Sequence, residues 1–214
     1  MPISALGTFF TTTSGPGTFV AQQAAITAFS DTGPLWVIFN RAPPGGQSIY
    51  LRWLKLLLGG TAPTATVSLD CAVRTDVGPK VPTGATQFAN PASVNVDGRD
   101  GTLSVATYYA YTVAAAMVTP ASSASVRQCA YGRIPTSLGI VGDEYTFEFG
   151  TTESTKSMVP GLTATRATAA AQLSEKMAPV VIAPGTWATI HLWWLTAATN
   201  APSWSWEIGH YEAL

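Results

Sequence analysis

A two-residue rhythm runs through this chain from end to end, and few folds accommodate it. In VSLDCAVR, Val67, Leu69, Cys71 and Val73 point one way while Ser68, Asp70 and Arg74 point the other. In EYTFEF, Tyr145, Phe147 and Phe149 alternate with Glu144, Thr146 and Glu148. In SWSWEIGHYE, Trp204, Trp206, Ile208 and His210 alternate with Ser203, Ser205 and Glu207. Side chains leave a strand on opposite faces in turn, so each segment predicts a strand with one face on a core. Two others, Leu35 to Asn40 (LWVIFN) and Thr189 to Leu195 (TIHLWWL), are apolar on both faces. They read as central strands, or as strands whose second face meets another subunit.

Turn signals separate these runs: Gly15-Pro16-Gly17, Gly33-Pro34, Gly78-Pro79, Asp97-Gly98, Asp100-Gly101, Pro160-Gly161 and Pro184-Gly185. Many short strands with Gly and Pro between them predict an all-β sandwich or barrel. Roughly eight to ten strands are expected, enough for a jelly-roll-like β-sandwich of two sheets. Ser48 to Leu58 (SIYLRWLKLLL) is ambiguous between helix and strand. The flanking Pro43 to Gly46 and Gly59-Gly60 favour a strand facing inward at Ile49, Leu51, Trp53 and Leu57. The one good helix candidate is Ala164 to Met177, which reads equally as an ordered loop. Residues 1–30 are assigned to an extended N-terminal arm and first strand, and 31–214 to a single sandwich domain. Gly78 to Asn95 and Gly150 to Thr168 have few bulky residues and read as long loops.

Charge is scarce, at 11% of the 214 residues, against about 25% in an ordinary soluble domain. A free monomer normally keeps a charged surface, so much of this exterior is expected to meet other protein. The net charge of −1 and scattered Lys and Arg give no basic patch for nucleic acid. No apolar run approaches the ~18 to 20 residues of a membrane span. The opening MPISALGTFF lacks a basic leader, so synthesis is assigned to the cytoplasm.

Enzyme chemistry leaves little trace, and the chain is read as no enzyme and as needing no cofactor or metal. His191 and His210 are the only histidines, and neither has metal-ligand spacing. Both read as packed or interface residues rather than general bases. A glycosidase's two carboxylates need meet only in space, so that chemistry stays formally open. Asn95 to Gly101 (NVDGRDG) loosely resembles a calcium loop but lacks the closing Glu, and a plain turn accounts for it. Cys71 and Cys129 make no disulfide framework. Cys71 reads as a small buried hydrophobe, with a bond between the two as the alternative.

Five of the seven tryptophans (Trp187, Trp193, Trp194, Trp204 and Trp206) lie close together near the C-terminus. Alternation puts Trp193 and Trp194 on opposite faces of one strand. Burial of each ring is worth on the order of 4 to 6 kcal/mol. Three uses compete: a thick core, a subunit interface and a sugar-stacking platform, of which the first two are compatible. The candidate interface residues are Phe9, Phe10 and Phe19 in the arm, with Trp193 and Trp194, together with the loop Gly78 to Asn95.

The order of segments resembles the jelly-roll cement or decoration (auxiliary head) proteins of tailed bacteriophages. It runs from LWVIFN through SIYLRWLKLLL, TATVSLDCAVR, ASVRQCAYGRI and GIVGDEYTFEFG to VIAPGTWATIHLWWL and WSWEIGHYE, covering the chain from about Leu35 onward. The resemblance carries no signature motif and no catalytic residue. It implies a virion structural protein on the outer capsid surface that binds the major capsid protein as a homotrimer and bridges neighbouring subunits. A phage tail, fibre or spike adhesin for host glycans, or a carbohydrate-binding module, is the alternative.

Overall fold

The computed structural model describes residues 7–15, 17–21, 27–31, 33–60, 67–78, 87–88, 94–96, 101–111, 126–136, 139–150, 172–195 and 202–214. Among them there is no helix. Eight strands build the body: β1 (Thr8–Thr13), β3 (Trp36–Asn40), β4 (Ser48–Gly59), β5 (Val67–Asp76), β9 (Arg127–Thr136), β10 (Glu144–Phe149), β13 (Trp187–Leu195) and β14 (Ser203–Ala213). Six others extend it: β2 (Val20–Ala21), β6 (Gln87–Phe88), β7 (Val94–Asn95), β8 (Ala106–Tyr111), β11 (Gln172–Met177) and β12 (Val180–Ile182). One sheet, sheet A, runs β11-β10-β4-β14-β1-β7, with β12 also on β4 and β2 also on β14. The other, sheet B, runs β6-β8-β3-β13-β5-β9. The protein is an all-β sandwich.

The pairing is nested. The first of these eight pairs with the last, β1 with β14, and inside that pair lie β3 with β13, β4 with β10, and β5 with β9, all antiparallel. Taken in order, these eight change sheet at every step except from β5 to β9. The expected N-terminal arm is therefore pinned by its own chain over 8–13, between β14 and β7. The physical reason is that this stretch pairs fully with β14, so its backbone groups are satisfied without a neighbour. The helix candidate is corrected at its C-terminal end: Gln172 to Met177 is a strand, parallel to β10. There Leu173, Glu175 and Met177 are buried and alternate with more exposed residues. Tertiary packing outweighs the helix propensity of Gln, Glu and Lys. Residues 164–171 lie outside the described set.

Strand β4 forms as the turn signals predict, but its inward set differs. Gly209 of β14 pairs with Trp53 and His210 with Leu51, so Arg52 is an extra residue on β4. This bulge reverses the alternation. Inward residues pass from Ile49 and Leu51 to Leu54, Leu56 and Leu58, all buried, and Trp53 and Leu57 are turned to the outer face.

Between the sheets, Trp194 stacks on Trp204 at 5.7 Å, and Tyr145 meets both rings edge-on. Trp36 meets Trp206 edge-on at 5.6 Å. Cys71 lies in this core, and both cysteines are free. Part of the outer face of sheet B is also covered. The segment around Phe29 crosses it, with the Phe29 ring 5.0 Å from His191 and 5.6 Å from Trp193. Arg74 holds this strap through Asp31 and lies over the Phe29 ring. The doubly apolar pattern of β13 thus follows from a second layer supplied by the same chain.

Candidate functional site

The predicted interface residues do not converge. Phe9 lies half-buried on the outer face of sheet A, its ring 5.1 Å from that of Trp53. Phe10 points inward, fully buried against His210. Phe19 is exposed, its ring filling the space above Gly59. Trp193 lies beneath Phe29 and beside Tyr131 on sheet B, and Trp194 is interior. Phe10, Trp193 and Trp194 therefore offer little surface in the isolated chain. Most of the loop Gly78 to Asn95 lies outside the described residues, as do residues 151–168 of the second long loop and 97–100 of the NVDGRDG turn.

Both histidines are buried. His210 and Glu212 sit on β14 with no exposed surface. Glu212 accepts hydrogen bonds from the Ser104 hydroxyl (2.6 Å), the Val105 amide (3.0 Å) and His210 Nε2 (3.2 Å). With its hydrogen on Nε2, His210 accepts from the Tyr108 hydroxyl at Nδ1 (2.9 Å). Burial disfavours the charged Glu212, but the hydrogen bonds from His210, Ser104 and Val105 outweigh it and hold the carboxyl below its ordinary value. Ser, His and Glu are thus close together without forming a nucleophile site, because serine and carboxylate share the same ring nitrogen and the cluster is sealed from solvent. It ties the segment entering β8 to β14. His191 donates or accepts at Thr189 Oγ1 (2.9 Å). Burial first, and then the Arg74 charge, lower its pKa to about 4.

An open site lies instead on the outer face of sheet A. The strand register sets Thr146, Lys55, Glu207 and Thr13 in one row across β10, β4, β14 and β1. Glu144, Leu57 and Ser205 form the adjacent row. Between them is a cleft of about 350 Å³ that reaches Gly15 and is floored by Leu56 and Trp206. Trp53 Nε1 donates to Glu207 Oε1 (2.8 Å), and Lys55 Nζ is 3.7 Å from the same oxygen. The Lys55 ammonium also lies 5.4 Å from the centre of the Trp53 ring. Beyond Trp53 the aromatic surface continues through Phe9 and the stacked pair Tyr50 and Tyr211 (4.6 Å). The alternation of SWSWEIGHYE alone turns Glu207 outward. Trp53 is instead expected inward, because a bulge leaves no mark in residue type.

Among the described residues, no group of three or more His, Cys, Asp and Glu side chains is placed to hold a metal ion. No helix there is long and apolar enough to cross a membrane. The chain matches no family model, no curated protein and no solved structure.

Proposed function

We propose that this chain is a virion structural protein, a cement subunit that clamps the outside of a phage capsid by bridging neighbouring subunits of the major capsid protein. The observation that carries the reading is the nested pairing of the eight strands of the body, first with last and inward to β5 with β9. Nesting of this kind supports a jelly-roll plan, which is common among viral shell proteins. The argument is one of fold and surface, because fold alone fixes no chemistry.

Surface composition supports the same reading. Only 11% of the residues are charged. Val94, Val96 and Leu103 are 63%, 59% and 85% exposed, at the β7 edge of sheet A and in the segment leading to Ser104. An exposed apolar rim beside a short strand edge suits association with another protein. A homotrimer presents three identical copies of such a rim, which fits a threefold position on a shell. Bridging then stabilises the shell, because releasing one subunit breaks contacts to several.

Electron cryomicroscopy of purified virions carrying this chain tests the reading. Sandwich-shaped density on the outer shell, contacting two or more capsid subunits through the β7 edge, is expected. Particles whose outer shell lacks the chain, with heat resistance unchanged by its deletion, overturn it.

A further inference from the structure

We propose that the cleft on the outer face of sheet A is a binding site for an uncharged oligosaccharide, a role independent of capsid attachment. Its volume, about 350 Å³, falls in the range of small-ligand sites, roughly 300 to 1,000 Å³. Its polar groups are of mixed kind. Lys55 donates, and the carboxylates of Glu144 and Glu207 accept.

The hydroxyls at the rim are oriented by a turn. Ser14 Oγ donates to the Thr18 carbonyl (3.0 Å) and lies 3.3 Å from Ser205 Oγ, so the Ser205 hydroxyl donates to Ser14 and its oxygen remains an acceptor. Thr13 Oγ1 accepts from the Gly15 amide (3.2 Å), which leaves its hydroxyl proton to donate into the cleft. A sugar hydroxyl both donates and accepts. A cleft that offers both kinds of partner side by side matches vicinal hydroxyls better than a phosphate, which chiefly accepts.

Charge points the same way. One ammonium against two carboxylates leaves the cleft net negative, which disfavours anionic ligands. A peptide strand is disfavoured too, because β10, β4 and β14, which carry the charged side chains of the cleft, are each paired on both sides and offer no backbone edge to extend. The rings leading away from the cleft, Trp53 stacked on Phe9 and Tyr50 on Tyr211, add an apolar surface beside it. The site is therefore suited to a chain of sugars rather than to a single one.

The test is NMR titration of the full-length, isotope-labelled protein with cellohexaose, maltohexaose, chitohexaose and mannan oligomers, with inorganic phosphate and an extended peptide as controls. Saturable shifts centred on 13–15, 55–57 and 205–207 are expected with at least one oligosaccharide. Glu144→Gln, a conservative change on the sheet's outer face, is expected to weaken that binding about tenfold, the loss of one charged hydrogen bond. No binding by any oligosaccharide overturns the proposal. So does binding that both Glu144→Gln and Lys55→Ala leave unchanged, or a cleft occupied by phosphate or peptide instead.

Discussion

Trp53 and Gly209 pair across β4 and β14, and the indole occupies the space where a side chain at 209 would stand. A Cβ built on Gly209 would fall among the Trp53 ring atoms, against Cε2 and Cζ2. Glycine is needed at 209 for the ring, not for a special backbone angle. The ring in turn carries the hydrogen bond that orients Glu207.

Gly209→Ala should therefore destabilise the protein by roughly 1 to 3 kcal/mol, the usual cost of overpacking. In a Trp53→Ala background the same change should cost much less, because the clashing atoms are gone. Urea unfolding of the four proteins in this cycle measures the coupling.

His191 makes stability depend on pH. Its pKa falls from 6.5 unfolded to about 4 folded, so between these values the unfolded chain binds the extra proton. Stability is then complete above about pH 6.5 and is lost as pH falls toward 4, by at most about 3 kcal/mol. Urea midpoints measured from pH 7 to 4 should show this slope, and His191→Gln should flatten it.

The cluster around Glu212 predicts two sizes of effect. Tyr108→Phe removes one hydrogen bond to His210 and should cost about 1 kcal/mol. Glu212→Gln replaces a charged acceptor of three hydrogen bonds and should cost roughly 2 to 3 kcal/mol or more. Because the Glu212 pKa is lowered on folding, its contribution is present above the ordinary carboxylate range and is lost as pH falls through the folded value. Acid unfolding of Glu212→Gln should lack that final loss.

The two thiols should react in sequence. Burial, with the nearby Asp70 charge, pushes the Cys71 thiol well up, which leaves almost no thiolate to react. Cys129 is partly exposed beside Thr75 Oγ1 (3.1 Å). A thiol reagent should label one cysteine in the native protein and the second only on unfolding. Intact-mass spectrometry counts them.

Where a strand is regular, its faces are legible in residue order alone. Tyr145, Phe147 and Phe149 face the core as their alternation predicts, and so do Trp204, Trp206 and Ile208. Two kinds of feature are not legible. The bulge at Arg52 changes which residues of β4 face inward, and it arises from pairing with β14 rather than from any local signal. The cover on Trp193 comes from Phe29, far away in sequence, so periodicity within β13 does not reveal it. The cleft combines both problems: its residues come from β1, β4, β10 and β14, and only the nested register brings them together.

Sedimentation velocity of the purified full-length chain over a wide concentration series, followed by cosedimentation with empty capsid shells, tests the central claim most directly. A homotrimer that persists on dilution and pellets with the shells is the predicted result. A soluble monomer at every concentration that stays behind when the shells sediment would contradict it.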